Sequence, residues 1–222
     1  MRGRAIGRSI IWIDTAEPAA SSLDALPATV QTSQHLHRLY LGPARLNVAP
    51  LTQSDIRRLF DLLNEELRNA ATEAELFLVG GAVMCLAYAA RPSTQDVDAL
   101  FHPPSQVREA AARVGARAGL SPDWLNDGVK GFMSAQGDFA PFLELDHLRV
   151  MVAQPAYLLA MKCLSMRIGA EFHDEEDIRY LLRHLEIRTY ADALTIIKKY
   201  YPLERFPQKT LYALAELLPK QN

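Results

Sequence analysis

Two carboxylates stand two residues apart at Asp96 and Asp98, with Val97 between them. In a β-strand, residues with this spacing point to the same face, about 6–7 Å apart along the chain. Two carboxylates buried side by side raise each other's pKa and lose hydration, so they need compensation. A divalent cation provides it, and Mg²⁺ prefers one or two carboxylates together with substrate phosphates. The pair therefore predicts a Mg²⁺ or Mn²⁺ site, and the alternative is two solvated acids on an exposed strand edge.

A glycine pair, Gly80-Gly81, precedes these acids along the chain. The apolar pattern predicts a short buried strand over 76–79 before the pair and a buried helix over 82–90 after it. Glycine at such a junction lets the backbone approach a ligand, and the amides at a helix N-terminus favour phosphate. The pair therefore predicts a phosphate-binding turn, and the alternative is a tight turn alone.

Lys162 is the only charged residue in the stretch 150–166. The apolar pattern around it predicts a helix, and a lysine among apolar neighbours needs a charged partner or a route to solvent. A phosphate, or the site at Asp96 and Asp98, would be such a partner. The alternative is a lysine that snorkels at the margin of its helix.

Two further acids, Asp174 and Asp177, stand at the start of a predicted helix. There Asp174 can act as the N-cap with Asp177 at the third helical position, and both charges favour the helix dipole. Capping and packing are therefore the alternative to a role for these acids in a site. For Trp124 in the same way, packing is the alternative to stacking on a nucleobase.

Taken in order, the first motifs resemble the signature of the polymerase-beta-like nucleotidyltransferase superfamily. The segments 78–81 (LVGG) and 96–99 (DVDA) are similar to its hydrophobic residue, glycine pair, helix and Asp-h-Asp strand. In that superfamily the glycines lie beside the nucleoside triphosphate, and the acids bind two metal ions. Thr94 fits a related pattern found in several bacterial branches, which implies that it also contacts the nucleotide.

A second block resembles the bacterial minimal nucleotidyltransferases and the AbiEii-type abortive-infection toxins. Its residues are spaced K-x4-R-x6-D-x2-D and are Lys162, Arg167, Asp174 and Asp177. The segment 123–127 (DWLND) is similar to part of a further bacterial branch. Together the resemblance covers roughly residues 52–190, and the order of the motifs carries it more than any single motif does.

The resemblance also implies a third carboxylate on a later strand, which commonly helps to activate the attacking hydroxyl group. Glu144 and Asp146 are the candidates, because they share a face if their stretch is one strand. If Asp146 instead lies in a turn, Glu144 remains as the candidate.

The elements that must position these residues alternate between helix and strand. Thr52 and Asp55 predict a capping pair at the start of the first helix. Beyond the elements already given, we predict a strand over 96–101, a helix over 105–118 and a hairpin over 142–153 that turns at 146–147. Four helices then complete the chain, over 156–168, 174–186, 189–200 and 208–218. The fold class is α+β, with a small mixed sheet flanked by helices and a C-terminal helical bundle.

Composition limits the classes of protein that this sequence can represent. The chain has 222 residues and a formal net charge of −2, so its bulk charge does not announce a nucleic-acid partner. Its two cysteines, Cys85 and Cys163, exclude a disulfide scaffold and a cysteine-rich zinc site. The longest uncharged run, 76–90, is shorter than a membrane span, and no targeting segment is convincing. We therefore expect a soluble, cytoplasmic protein without a membrane partner.

Three regions are predicted along the chain. Residues 1–50 form an irregular N-terminal extension with one short strand near 10–13, because proline, serine and alanine clusters there replace any sustained period. Residues 51–153 form the core, which the resemblance identifies as a nucleotidyltransferase core. Residues 154–222 form the helical region.

The expected activity is the Mg²⁺- or Mn²⁺-dependent transfer of a nucleoside monophosphate from a nucleoside triphosphate, such as ATP, to a hydroxyl acceptor in RNA, in a protein or in a small molecule. Asp96 and Asp98 are expected to hold the metal, and Lys162 to neutralise charge on the triphosphate. The resemblance implies a toxin–antitoxin or phage-defence role, with an antitoxin protein as partner. The alternatives are a catalytically inactive member that binds a nucleotide or a partner, and an interaction module that uses its helical surfaces.

Overall fold

The first helix begins at a capping box, as the sequence predicts. In the computed structural model, which describes residues 49–167 and 173–218, strand β1 (Leu51–Thr52) leads into helix α1 (Gln53–Asn69). The Thr52 side chain accepts from the backbone N–H of Asp55, and the Asp55 side chain accepts from that of Thr52. The predicted extension over 1–50 lies outside the described residues, apart from residues 49 and 50.

Five strands form one mixed sheet. They are β2 (Ala74–Leu78), β4 (Val97–His102), β5 (Leu125–Asn126), β6 (Phe139–Glu144) and β7 (Leu148–Ala153). Their order is β5-β4-β2-β7-β6. The pair β2–β4 and the pair β6–β7 are antiparallel, whereas β2–β7 and β4–β5 are parallel. Strand β3 (Ser93–Thr94) pairs separately with β1.

The register of the sheet gives it two distinct ends. At one end Leu78 lies opposite Ala99 and Val152, with Asp98 opposite Asn126, and we call this the site end. At the other end, the far end, the register places Glu144, Arg149, Glu75 and His102 side by side across four strands. Asp98 and His102 are four residues apart in β4, so the two ends are separated by about 13 Å.

One face of the sheet is buried and the other is only partly covered. In β4, Val97, Ala99 and Phe101 are buried while the alternate residues Asp98 and Leu100 are partly exposed. Helix α1 packs against α3 (Pro104–Ala118) and β7, and α3 packs against β4. The strict alternation along β4 therefore turns Asp98 away from the main core, as its position in the sequence pattern predicts.

The rest of the described chain is helical. Short helix α2 (Gly80–Leu86) follows β2, and α4 (Pro155–Ser165), α5 (Asp174–His184), α6 (Tyr190–Ile197) and α7 (Gln208–Leu217) follow β7. Helix α4 is buried on most sides and packs against α2, α5, α6 and α7. Seven α-helices and the mixed sheet confirm the α+β class for the described residues. Within 49–167 and 173–218, every helix is too short or too polar to cross a bilayer.

Several boundaries differ from the prediction. Helix α2 ends at Leu86 rather than near residue 90, and Ala89 then takes a left-handed conformation with φ +48°. Strand β6 begins at Phe139, and β5 lies in a segment for which the sequence pattern predicts no strand. The two-residue length of β5 explains the second difference, because so short a strand shows no period of its own.

Candidate functional site

The predicted acids lie at the site end of the sheet. Asp98 is the second residue of β4, and Asp96 immediately precedes that strand. Both side chains are partly buried, on the side of β4 that faces away from Val97 and Ala99. The structure therefore excludes the alternative of two fully solvated acids at an exposed strand edge.

Gly80 allows the side chain of Asp98 to approach the backbone closely. It has φ +64°, a left-handed conformation in which a side chain is strained. A Cβ atom at Gly80 would also lie 2.7 Å from Asp98 Oδ2. Glycine is therefore favoured here for two separate reasons, backbone conformation and the approach of a carboxylate.

Gly81 makes room for protein side chains. A Cβ atom there would overlap the guanidinium of Arg91 and lie 2.5 Å from Thr94 Oγ1. Arg91 Nε also donates to the Gly81 carbonyl oxygen at 3.4 Å. The sequence pattern predicts a phosphate beside this glycine pair. In the structure, the side chains of Arg91 and Thr94 occupy the space beside Gly81.

Arg91 is a site residue that the sequence interpretation did not single out. Its side chain is 17% exposed, and its Nη1 lies 3.7 Å from Asp177 Oδ2. A signal was present, because Arg91 is the only charged residue in the stretch 76–95. The same reasoning that singled out Lys162 from its uncharged surroundings therefore applies to Arg91.

Asn126 is the second site residue that the sequence interpretation passed over. It lies opposite Asp98 in the parallel β4–β5 ladder. Its Nδ2 donates to Asp96 Oδ2 at 3.1 Å, and the amide also opposes the rise in the pKa of Asp98. Its Oδ1 accepts from the backbone N–H of Gly128 at 3.1 Å. One amide therefore connects both acids to the loop that follows β5.

Burial dominates the electrostatics of the acid pair. It is the main cause that raises the pKa of Asp96 above its ordinary value, and the negative charge of Asp98 adds to it. Burial likewise raises the pKa of Asp98, against the opposing effects of Asn126 and Lys162. The positive charges of Arg91 and Arg167 also favour ionisation of both acids, but they do not cancel the cost of burial. The pair would therefore gain from an additional cation.

Lys162 is buried and forms ion pairs with two acids other than Asp96 and Asp98. Its residue exposure is 7%, so the alternative of a snorkelling lysine is excluded. Nζ lies 3.0 Å from Asp174 Oδ1 and 2.7 Å from Asp177 Oδ2, the second contact without the alignment of a hydrogen bond. Its charge still acts on Asp98. The lysine thus connects α4 and α5 while adding positive potential at the site.

Asp174 and Asp177 face this network from the first turn of α5. Asp174 is the first helical residue, after the N-cap His173, and its Oδ2 accepts from the backbone N–H and the Nε of Arg167. Burial alone would raise the pKa of Asp174, but the charge and hydrogen bond of Lys162, with the bonds from Arg167, hold it below its ordinary value. Simple helix capping therefore does not describe these side chains, since their contacts are with cations from other segments.

Glu144 and Asp146 lie at the far end, so the structure does not bring either of them to the acid pair. Glu144 ends β6 and lies 3.6 Å from Arg149, while Asp146, in the following turn, pairs with Arg68 at 3.0 Å. Their side chains are 77% and 79% exposed. They are the candidates for the third carboxylate because they share a face if their stretch is one strand, but β6 runs away from the site end. The placement of both residues corrects that expectation.

Trp124, just before β5, packs in the core. It is buried, and its indole N–H donates to the carbonyl oxygen of Ala111 at 2.9 Å. The packing alternative for this residue is therefore correct. By anchoring the segment before β5 to α3, Trp124 helps to fix Asn126 beside Asp98.

Asp96 and Asp98 are the residues that could hold a metal ion. Two carboxylates with open coordination positions suit Mg²⁺, which usually retains waters and accepts phosphate oxygens. In the part of the chain that the structure describes, no group of three or more Asp, Glu, His or Cys side chains is placed to hold one. The donors thus fit a cation that shares its ligands with a substrate. Family models, curated proteins and solved structures give no significant match to the chain.

Proposed function

We propose that this protein transfers a nucleoside monophosphate from a nucleoside triphosphate to a hydroxyl acceptor at the Asp96–Asp98 pair, with Mg²⁺ as cofactor. The observation that carries the proposal is the pair itself: two partly buried carboxylates whose pKa values are raised by burial, beside three cations. The cations are Arg91, Lys162 and Arg167. Such a centre suits a substrate that brings both a divalent cation and phosphate charge.

Each residue of the site has a separate part in this proposal. Asp96 and Asp98 would hold Mg²⁺, which would neutralise charge on the phosphoryl group during transfer. Arg91 and Arg167 are the cations suited to phosphate oxygens, because a guanidinium makes planar, charge-assisted hydrogen bonds. Lys162, held by Asp174 and Asp177, would act through its electrostatic field rather than by contact with the triphosphate. Because it has no Cβ atom, Gly80 leaves room for the carboxylate of Asp98, and Gly81 leaves room for Arg91 and Thr94.

The resemblance of the motifs to the polymerase-beta-like superfamily supports the same activity. Under this proposal the sheet and its helices are a nucleotidyltransferase core, and the acceptor is a hydroxyl group of RNA, of a protein or of a small molecule. A toxin–antitoxin or phage-defence role, with an antitoxin protein that restrains the enzyme, is the biological setting that the resemblance implies.

A second candidate function is a nucleotide-binding protein without transfer activity. The observation that favours it is Asn126, because the residue opposite Asp98 on the neighbouring strand is an amide and not a third carboxylate. An amide cannot take a proton from an attacking hydroxyl group, so a base for the acceptor would have to come from elsewhere.

The experiment is incubation of the protein with each α-labelled nucleoside triphosphate, Mg²⁺ or Mn²⁺, and total cellular RNA or protein. Transfer of label together with pyrophosphate release is expected, and Asp98→Asn should reduce both by more than about 100-fold. Asp146→Asn is the matched control, because it makes the same chemical change in an exposed acid at the far end. Nucleotide binding without label transfer or pyrophosphate release would select the second candidate, and no binding at all would reject both.

A further inference from the structure

The orientation of the Asn126 amide is fixed by its surroundings. The backbone N–H of Gly128 can only donate, so the group that faces it at 3.1 Å must be the carbonyl oxygen Oδ1. The NH₂ group then points at the acid pair and donates to Asp96, while Asn126 lies opposite Asp98 in the ladder. Turning the amide over would place two donors against each other at Gly128 and leave the amide oxygen facing the carboxylate of Asp96. The observed orientation is the one that satisfies all of these groups.

This orientation has a direct consequence for cation binding. An NH₂ group is a donor and cannot coordinate a cation, and Oδ1, which could, is turned away from the acids. The amide also occupies an acceptor site on Asp96. Asn126 therefore holds the two carboxylates in place beside each other but contributes no ligand of its own.

The other nearby acids do not supply the missing ligand. Asp174 and Asp177 face Lys162 at 3.0 and 2.7 Å, and both are buried. Asp127, next to Asn126 in the chain, is paired with Arg108 and Lys130. Moving any of these carboxylates toward a metal would break an ion pair, at a high cost for the buried pairs of Lys162. Within the described residues, two carboxylates are thus the complete acidic ligand set.

We propose that the site binds a single divalent cation when nucleotide is absent. Asn126, a positioning residue, sets this limit, because a carboxylate in its place would complete a site for two cations. The inference rests on the proposed function, since it concerns the same pair of acids. It differs from the two-ion arrangement that the resemblance implies. Any further cation would have to arrive bound to the phosphates of the substrate.

The test replaces Asn126 and counts bound ions. Asn126→Asp puts a carboxylate opposite Asp98 in the ladder and should raise the number of Mn²⁺ ions bound per chain from one to two, as measured by electron paramagnetic resonance of free Mn²⁺ during titration. Asn126→Ala removes the hydrogen bond to Asp96 and should weaken the single Mn²⁺ site by about 10-fold or more. The matched control is Asn64→Asp, which changes another largely buried asparagine, on α1, that accepts from the His147 backbone at the far end. It should leave the count at one and the affinity unchanged.

The outcomes separate this inference from the proposed function. Two Mn²⁺ ions on the wild-type chain, or one on a folded Asn126→Asp variant, would overturn the inference and leave the proposed activity standing. An Asn126→Ala variant with wild-type affinity would overturn the positioning role. A wild-type chain that binds no Mn²⁺, with or without ATP, would remove the proposed function instead. If Asn126→Asp unfolds without metal, Mn²⁺ should restore its melting transition, and failure to do so counts against the inference.

Discussion

The two ends of the sheet carry acid pairs with the same spacing and opposite surroundings. Asp96 and Asp98 at the site end are partly buried beside Gly80 and Asn126. Glu144 and Asp146 at the far end are exposed and pair with surface arginines. Both pairs consist of two acids around one apolar residue. The spacing of two acids therefore identifies a candidate site, whereas the segments that surround the strand decide whether the acids form one.

The same contrast extends to the ion pairs. At the site end, Lys162 is buried between Asp174 and Asp177. At the far end, Arg149 lies between Glu75 and Glu144 with half of its side chain exposed. A buried ion pair is costly to break, while a solvated one contributes little to stability. The predictions below test this difference, beginning with the largest expected effect.

Removing the buried lysine charge should destabilise the protein most. Lys162→Met keeps an apolar stem of similar length but leaves two buried carboxylates without this cation, which should lower the free energy of unfolding by about 3–5 kcal/mol. Arg149→Met, the matched change at the far end, should lower it by about 0–1 kcal/mol. Urea denaturation of both variants measures the difference. Equal losses would mean that the two ends do not differ in the way described.

Metal should stabilise the fold through the site end alone. At a concentration about 100 times its dissociation constant, Mg²⁺ or Mn²⁺ together with ATP should raise the free energy of unfolding by about 2.7 kcal/mol. Asp98→Asn should remove this response, while its apo form should be as stable as the wild type or slightly more so, because one partly buried charge is gone. Asp146→Asn should keep the wild-type response in thermal unfolding. A metal response that survives Asp98→Asn would place the ion elsewhere.

The contact between Gly80 and Asp98 can be separated from backbone strain. Gly80 and Gly119 have similar positive φ values, +64° and +70°, but a Cβ atom at Gly119 would meet nothing within 4 Å. Gly119→Ala should therefore cost only the left-handed conformation, about 1 kcal/mol. Gly80→Ala should cost about 1 kcal/mol more and should also weaken Mn²⁺ binding, because Asp98 has to move. Equal stability and unchanged metal affinity for the two variants would show that the close approach is unimportant.

The pH dependence of stability should reveal the buried ion pair. The pKa of Asp174 is held below its ordinary value of 3.8, so its contribution is fully present above that pH and is lost as the pH falls through the lower folded-state value. Asp174→Asn should therefore cost about 1–2 kcal/mol near pH 7, and this cost should shrink in more acidic solution. Denaturation at several pH values, with the exposed Asp146→Asn as control, measures the effect. A cost that does not fall with pH would argue against charge as its cause.

Much of the fold follows from patterns that lie within one segment. The Thr52 capping box and the alternation along β4 depend on neighbours a few residues apart, and the structure agrees with both of them. The α+β class follows from the order of such elements. Boundaries were less predictable where a single residue breaks a pattern, as Ala89 does after α2.

The composition of the candidate site was harder to predict, because its contacts join distant segments. Nothing near residue 126 in the sequence indicates that a two-residue strand pairs there with β4, and only that pairing brings Asn126 to Asp96 and Asp98. Similarly, Glu144 becomes remote only because it ends β6 at the far end, on the edge of the sheet opposite β5. By contrast, the isolation of Lys162 and Arg91 among uncharged residues was visible, and both take part in buried or nearly buried ion pairs.

The ion pairs of Lys162 with Asp174 and Asp177 have a consequence for how this protein can evolve. The lysine comes from α4 and its partners from α5, and Arg91, which lies near Asp177, comes from the loop after α2. A recombination event that exchanged the helices after α4 for those of an unrelated protein would leave the buried positive charge of Lys162 without its two acidic partners. The sheet and the helical region are therefore expected to be inherited together, as one module, rather than shuffled as separate parts.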